Sequence, residues 1–134
     1  MTEHGQALTA STIRYLLILR RLDREEGGIR CVHIAEKLGI SKPSVHRMME
    51  ALCQRQWIQK NRYGTVCLTE NGRLIADRYG EYAETVRLYF DAVLPPDSDI
   101  DGITCVFLAQ IPMDRLETVC ERIRNRLTDF DSLF

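Results

Sequence analysis

Apolar residues recur along this chain at helical spacing, give way briefly to short β-type runs, and then return to helical spacing. Ile13, Leu16, Leu17 and Leu22 mark a first helix, capped by Ser11 or Thr12 and running to about Glu25. Gly27-Gly28 is its expected stop, residues 1–8 before it are expected to fray, and Ile29-Arg30-Cys31 reads as a short strand. In the stretch IAEKLGISKPSVHRMMEALCQRQW, residues 34–57, Ile34, Ala35 and Leu38 form the apolar face of a short helix. Gly39 stands where a helix C-terminus takes a left-handed residue, and Ile40 plugs the corner. Ser41 is placed to cap a second helix, with Pro43 in its first turn. Val45, Met49 and Leu52 are the buried stripe of that helix, which leaves Lys42, Ser44, His46, Arg47 and Glu50 outward. A short helix, a glycine-bearing turn and a longer helix with a basic, hydroxyl-rich face form a helix-turn-helix, whose second helix lays its N-terminal half in a major groove.

After Leu52 the period shortens. Trp57–Lys60 and Thr65–Leu68 are β-type runs with a turn at Asn61-Arg62-Tyr63-Gly64, so a hairpin wing is expected over residues 57–69. Its tip offers Lys60, Asn61, Arg62 and Tyr63, side chains suited to phosphates and the minor groove. Thr69 caps a long helix, residues 70–94, along which Leu74, Ile75, Tyr79, Tyr82, Val86, Tyr89, Phe90 and Val93 form a stripe ended by Pro95-Pro96. So long a stripe outruns the chain left to cover it, which points to a second subunit packed on Ile75, Tyr79, Tyr82, Val86 and Phe90. Asp97, Asp99 and Asp101 open a further helix carrying Ile100, Ile103, Val106, Phe107 and Leu108. Pro112 starts the last, with Leu116, Val119, Cys120, Ile123 and Leu127 inward. The expected fold is mainly α with a small β-hairpin wing: a winged helix-turn-helix domain over residues 1–72, then a helical dimerisation domain over residues 73–134.

Composition sharpens this picture in one respect. The formal charge of −1 conceals thirteen Lys and Arg against eight Asp and Glu in residues 1–79, and five against eleven thereafter. A basic front and an acidic rear imply that the front alone meets a polyanion. Five cysteines, an odd number without a CxxC pair, argue against a disulfide framework or zinc finger and fit reduced thiols. The apolar run Tyr15–Leu19 sits between arginines and is too short for a secretory signal, and no stretch reaches membrane-spanning length, so a cytoplasmic protein is expected. No phosphate-binding glycine loop, HExxH or nucleophile elbow is present, and an enzyme is not expected.

The leading helix Tyr15–Leu22, the segment IAEKLGIS-x-PSV, the wing and the element Leu68-Thr69-x-x-Gly72 together resemble the diphtheria toxin repressor / manganese transport regulator family. The resemblance covers nearly the whole chain. It implies a winged helix joined to a dimerisation domain, and repression of transcription by a homodimer bound to double-stranded DNA at a palindromic operator. By it, Ser41, Pro43, Ser44 and Arg47 stand where that family contacts DNA. It also implies a divalent transition metal, manganese or iron. The corresponding ligand positions hold Arg14, then Glu84 (or Glu81 in a shifted register), then Cys105, with Leu108 and Ala109 on a Glu-His pair. About two of six donors survive, short of the four to six that a transition metal needs. Arg14, a permanent cation, is expected to pair with Glu84 or Glu81 in the metal's place. Two readings stay open beside this one: a winged helix that docks on a partner protein without reading DNA, and a MarR-type regulator answering to a small ligand or to thiol oxidation.

Overall fold

The computed structural model describes residues 6–25 and 28–133. Of the expected frayed terminus, residues 1–5 lie outside the described residues, as does Gly27. Residues 6–8 are not frayed: Leu8 is buried and the Gln6 carbonyl accepts from the Met113 amide at 3.2 Å. The elements are α1 (Ala10–Glu25), β1 (Ile29–Arg30), α2 (Cys31–Leu38), α3 (Lys42–Gln54), β2 (Ile58–Lys60), β3 (Thr65–Leu68), α4 (Glu70–Val93), α5 (Ile100–Ala109) and α6 (Leu116–Leu133). They form two compact units, Tyr15–Tyr79 and the described residues on either side of it, so the division falls inside α1 and α4.

In the first unit, α2 ends at Gly39, whose φ of 66° lets the Ile40 amide reach back to the Ala35 carbonyl at 3.1 Å. Ser41 then caps α3, and Val45, Met49 and Leu52 are buried. α3 closes on a Schellman motif, with the Trp57 amide bonded to the Leu52 carbonyl at 3.0 Å and Gln56 in the left-handed region at φ 63°. The wing is antiparallel, order β1-β3-β2, with Ile58 opposite Leu68 and Lys60 opposite Val66. The strand expected at Ile29–Cys31 pairs with β3, Ile29 opposite Val66, and ends one residue early because Cys31 begins α2.

Where wing and α4 meet, three contacts converge on α3's end. The Thr69 hydroxyl donates to the Gln56 carbonyl at 2.6 Å, and the Thr69 amide to the Trp57 carbonyl at 2.9 Å. Thr69 Oγ1 in turn accepts from the Gly72 amide at 3.0 Å, capping α4. A Cβ on Gly72 would lie 1.8 Å from the Trp57 carbonyl oxygen, so α4 can start here only with glycine.

The buried face of α4 differs from the expected stripe. It keeps Tyr79, Tyr82 and Val86 of that stripe and adds Gly72, Ala76, Gly80, Ala83 and Thr85. Leu74 and Val93 are exposed, as is Val106 on α5. In the second unit, Asp99 caps α5 through the Gly102 amide at 3.1 Å. Phe90 meets Phe107 edge-on, with ring centroids 5.4 Å apart, and Leu108, Leu116 and Cys120 are fully buried. Pro112 caps a short 3-10 turn, Met113–Arg115, that leads into α6.

Two substitutions test this account of the α3–wing–α4 junction. Gly72→Ala should lower stability by about 3 kcal/mol, because the carbonyl it would strike is backbone and cannot move aside. Gln56→Gly should raise stability by about 1 kcal/mol by relieving a left-handed non-glycine residue. Urea denaturation of the three proteins reads both.

Candidate nucleic-acid interface

The outer face of α3 is built by its cap. The Ser44 amide donates to Ser41 Oγ at 3.3 Å, and the Ser41 hydroxyl donates to Ser44 Oγ at 2.9 Å. Arg47 Nη2 donates to the same Ser44 oxygen at 3.3 Å, so the guanidinium is steered along the first turn of α3. Burial pushes the Tyr15 phenol above its ordinary value, and the charge of Arg47 partly offsets this, which locates that charge beside α1. Ser41, Lys42, Pro43, His46 and Arg47 are exposed and Ser44 is half-buried, so the helix presents cations and hydroxyls without a carboxylate until Glu50.

Glu50 is matched. Its carboxylate pairs with the Lys60 ammonium on β2. The hydrogen bond to Lys60 holds the Glu50 carboxyl below the usual carboxylate range, and the same bond holds the Lys60 ammonium above its own. Lys60 is therefore not a free cation at the wing tip, as its position in sequence suggests, but a strut between wing and α3. Both groups are exposed, so the pair is weak and screened by salt.

The wing turn itself is a 3-10 turn, Arg62–Gly64, in which Tyr63 takes φ 71° and Gly64 takes φ 77°. Tyr63 is 96% exposed, the extreme among the large side chains that contact solvent. Arg62 is exposed beside it and forms no ion pair with a described residue. Behind the turn lies a cleft of about 330 Å³ between the starts of α2 and α3, lined on the helix side by Arg30, Cys31, Val32, Lys42 and His46. Sequence reading passed over Arg30 and the cleft, because only the β1–β3 pairing brings Arg30 opposite Thr65 and so beside the turn.

The degenerate metal positions do not assemble. Arg14, Glu81 and Glu84 are exposed, and neither glutamate forms the expected ion pair with Arg14. The Arg14 charge instead bears on Cys105, whose thiol is buried and pushed above its ordinary value chiefly by that burial, so it stays protonated and is a poor ligand. No cluster of three or more His, Cys, Asp or Glu able to hold a metal occurs among the described residues. The donor set does not fit a transition ion.

Nor do all the residues assigned to a subunit interface lie on a surface. Tyr79, Tyr82 and Val86 are buried within the single chain, and Ile75 and Phe90 are half-buried, Phe90 against Phe107. Among the described residues of α4 and α5, the exposed large apolar side chains are Leu74, Leu88, Val93 and Val106.

Residues 2–89 match the family described as the HVO_A0261 N-terminal domain. The chain belongs to that family. Among curated proteins none is a match in sequence. Solved structures with a similar fold include IdeR of T. acidophilum, at TM-score 0.69 and 20% identity over 87% of this chain and 53% of that one. The manganese regulator SloR gives TM-score 0.69 and 24% identity over the same 87% and 53%. The hypothetical protein SSo2273 from Sulfolobus solfataricus gives TM-score 0.58 and 20% identity over 90% of this chain and 89% of that one. The chain spans about half the length of IdeR and SloR. The likeness to the diphtheria toxin repressor / manganese transport regulator family read from the sequence is borne out in the fold, as is the mainly helical winged architecture. No helix of the described residues is long and apolar enough to cross a membrane.

Thiol chemistry gives a check on the burial of the core of the second unit. Burial pushes the Cys120 thiol up to about 11, and Cys105 is raised in the same sense. A raised value means the proton is kept as pH rises past the ordinary thiol range. At pH 8 the native protein should therefore leave Cys105 and Cys120 unmodified by iodoacetamide, and both should react once it is unfolded in urea. Peptide mass mapping reads the outcome.

Proposed function

We propose that this chain is a homodimeric, DNA-binding transcription regulator, a repressor that reads a palindromic operator with α3 and braces itself on the backbone with the wing. The observation that carries the reading is the outer face of α3, where Ser41, Lys42, Pro43 and Arg47 stand exposed over a helix whose opposite face is buried. Exposed Arg62 and Tyr63 extend the same basic surface onto the wing. The fold it shares with a manganese regulator supports a regulator of that kind.

In this reading α3 enters the major groove with its first turns. Arg47 is the base-reading residue: its fork suits the two acceptors of a guanine edge, a contact worth roughly 1–3 kcal/mol of discrimination. Ser44 aims it, through the hydrogen bond at 3.3 Å. Ser41, Lys42 and Pro43 approach the backbone, as does Arg62, while Tyr63 faces the minor groove. Lys60, paired with Glu50, adds no free charge to the face. Dimerisation uses the exposed apolar residues Leu88, Val93 and Val106, and sets two copies of α3 about 34 Å apart, one turn of DNA. Because the donor set does not fit a metal, binding is independent of manganese and iron.

A duplex selected from a random library supplies the probe. Arg47→Ala should lose preference for the selected sequence by roughly 1–3 kcal/mol while keeping affinity for scrambled DNA. Arg62→Ala should weaken both equally and reduce the salt slope by about one. Glu50→Gln should tighten binding to all sequences, by removing a negative charge from the face and freeing Lys60. Like behaviour of Arg47→Ala and Arg62→Ala on the two duplexes would remove the assigned roles.

A dimer by sedimentation at micromolar concentration, reduced to a monomer by Leu88→Glu with Val106→Glu, is the expected assembly. Affinity unchanged by Mn²⁺, Fe²⁺ or chelator is the expected metal response.

A further inference from the structure

The requirement that puts a glycine at position 72 also leaves the peptide bond before it chemically labile. A Cβ there would lie 1.8 Å from the Trp57 carbonyl oxygen, so the position is closed to other residues. The residue before it is Asn71. A backbone nitrogen that follows an asparagine can attack that residue's side-chain carbonyl, and a glycine nitrogen does so most readily because no side chain crowds its approach. The chain has three asparagines, and the other two, Asn61 and Asn125, each precede an arginine.

What holds the reaction back is the first turn of α4. Asn71 is helical, and a helical backbone turns the next nitrogen away from the side-chain carbonyl. The Gly72 amide is one of the leading donors of the helix, which find no acceptor within it. Its partner is Thr69 Oγ1 at 3.0 Å, and the Thr69 hydroxyl is held in turn by the Gln56 carbonyl at 2.6 Å. The attacking nitrogen is thus secured by one side-chain oxygen, in a turn that can open without the rest of the fold. The Asn71 carboxamide is exposed and forms no hydrogen bond with a described residue, so the backbone angle alone restrains it. Asn61 and Asn125 are better protected. Asn61 Oδ1 accepts from the Cys67 thiol at 3.7 Å, and Asn125 lies inside α6, where the next amide has an intrahelical acceptor.

We infer that Asn71-Gly72 is a deamidation site, gated by opening of the Thr69 cap and not by unfolding of the chain. In the open turn the Gly72 nitrogen bonds to the Asn71 side-chain carbonyl carbon. The carbon–nitrogen bond of the carboxamide breaks, and its nitrogen leaves as ammonia with the Gly72 amide proton. Water then adds to either carbonyl of the succinimide and breaks that carbonyl's bond to the ring nitrogen. One product has aspartate at position 71 with the main chain intact. The other is isoaspartate, whose main chain runs through the side chain and is longer by one methylene. The two products differ in effect. A carboxylate in the first turn of α4 complements the helix dipole. An added methylene moves Gly72 off the Trp57 carbonyl, where there is no room to spare, and undoes the junction of α3, wing and α4. The inference does not depend on DNA reading.

The test holds the full chain at neutral pH and follows it by peptide mass mapping, with isoaspartyl methyltransferase labelling to separate the products. Asn71 should deamidate while Asn61 and Asn125 stay intact. Its rate should not change with urea added well below the unfolding transition, because a frayed turn exposes little new surface. Thr69→Ala should deamidate about fivefold faster, the factor by which losing a helix cap worth about 1 kcal/mol raises the open population. Thr69→Ser should match the wild type. A wild-type rate that climbs with urea from the lowest concentration places the gate at global unfolding and overturns the inference, whether or not Thr69→Ala folds. Deamidation of Asn71 no faster than that of Asn61 or Asn125 overturns it as well. Asn71→Asp should unfold at the same urea concentration as the wild type or a higher one, and the isoaspartyl fraction at a lower one. Equal midpoints for Asn71→Asp and the isoaspartyl fraction would remove the effect assigned to the added methylene.

Discussion

The backbone of Trp57 and the missing side chain of Gly72 hold this protein's helix-turn-helix and wing in order. Thr69 stands between them, donating to the Gln56 and Trp57 carbonyls while accepting from Gly72. Through that clasp the end of α3, the root of the wing and the start of α4 become one rigid corner. The guanidinium of Arg55, 4.7 Å from the centroid of the Trp57 ring, covers it on one side. If the corner opened, α3 and the wing would no longer share a frame, and the spacing between Arg47 and Arg62 would cease to be defined.

On that frame the electrostatics are arranged by exclusion as much as by supply. The one carboxylate on the outer side of α3, Glu50, is occupied by Lys60. The remaining cations, Arg30, Lys42, Arg47 and Arg62, form no ion pair with a described residue. The overall charge of −1 is therefore a poor guide to what the molecule meets. The field that matters is local, and its salt dependence follows from the exposure of the groups that make it.

Most of the fold was legible in the sequence because its signals are local. Gly39, the Ser41 cap and the Val45/Met49/Leu52 stripe each act within a turn or two, and the hairpin announces itself by period and by turn residues. What was not legible depends on contacts distant in sequence. Large apolar residues mark part of the buried face of α4, at Tyr79, Tyr82 and Val86, but its small members Ala76 and Ala83 carry little hydrophobic signal. Leu74 falls on the periodic stripe yet is exposed, and Tyr79, Tyr82 and Val86, expected at a subunit interface, are buried within the single chain. Lys60 was read as a free cation because its partner lies ten positions back on another element. Arg14 was set against Glu81 or Glu84 by alignment, whereas the folded chain directs its charge at Cys105.

The left-handed tyrosine at the wing tip has a consequence for how this chain can vary. Tyr63 holds φ 71° with its ring in water, so folding gains little from the side chain and loses about 1 kcal/mol relative to glycine or, in part, asparagine. Drift under selection for stability alone would replace it, and nothing in the protein's interior would register the loss. Position 63 is thus one where the folded chain by itself gives no reason for an aromatic residue. A survey of natural variants would find it either fixed as an aromatic residue or relaxed to glycine, and the split would separate chains that use the tip from chains that do not.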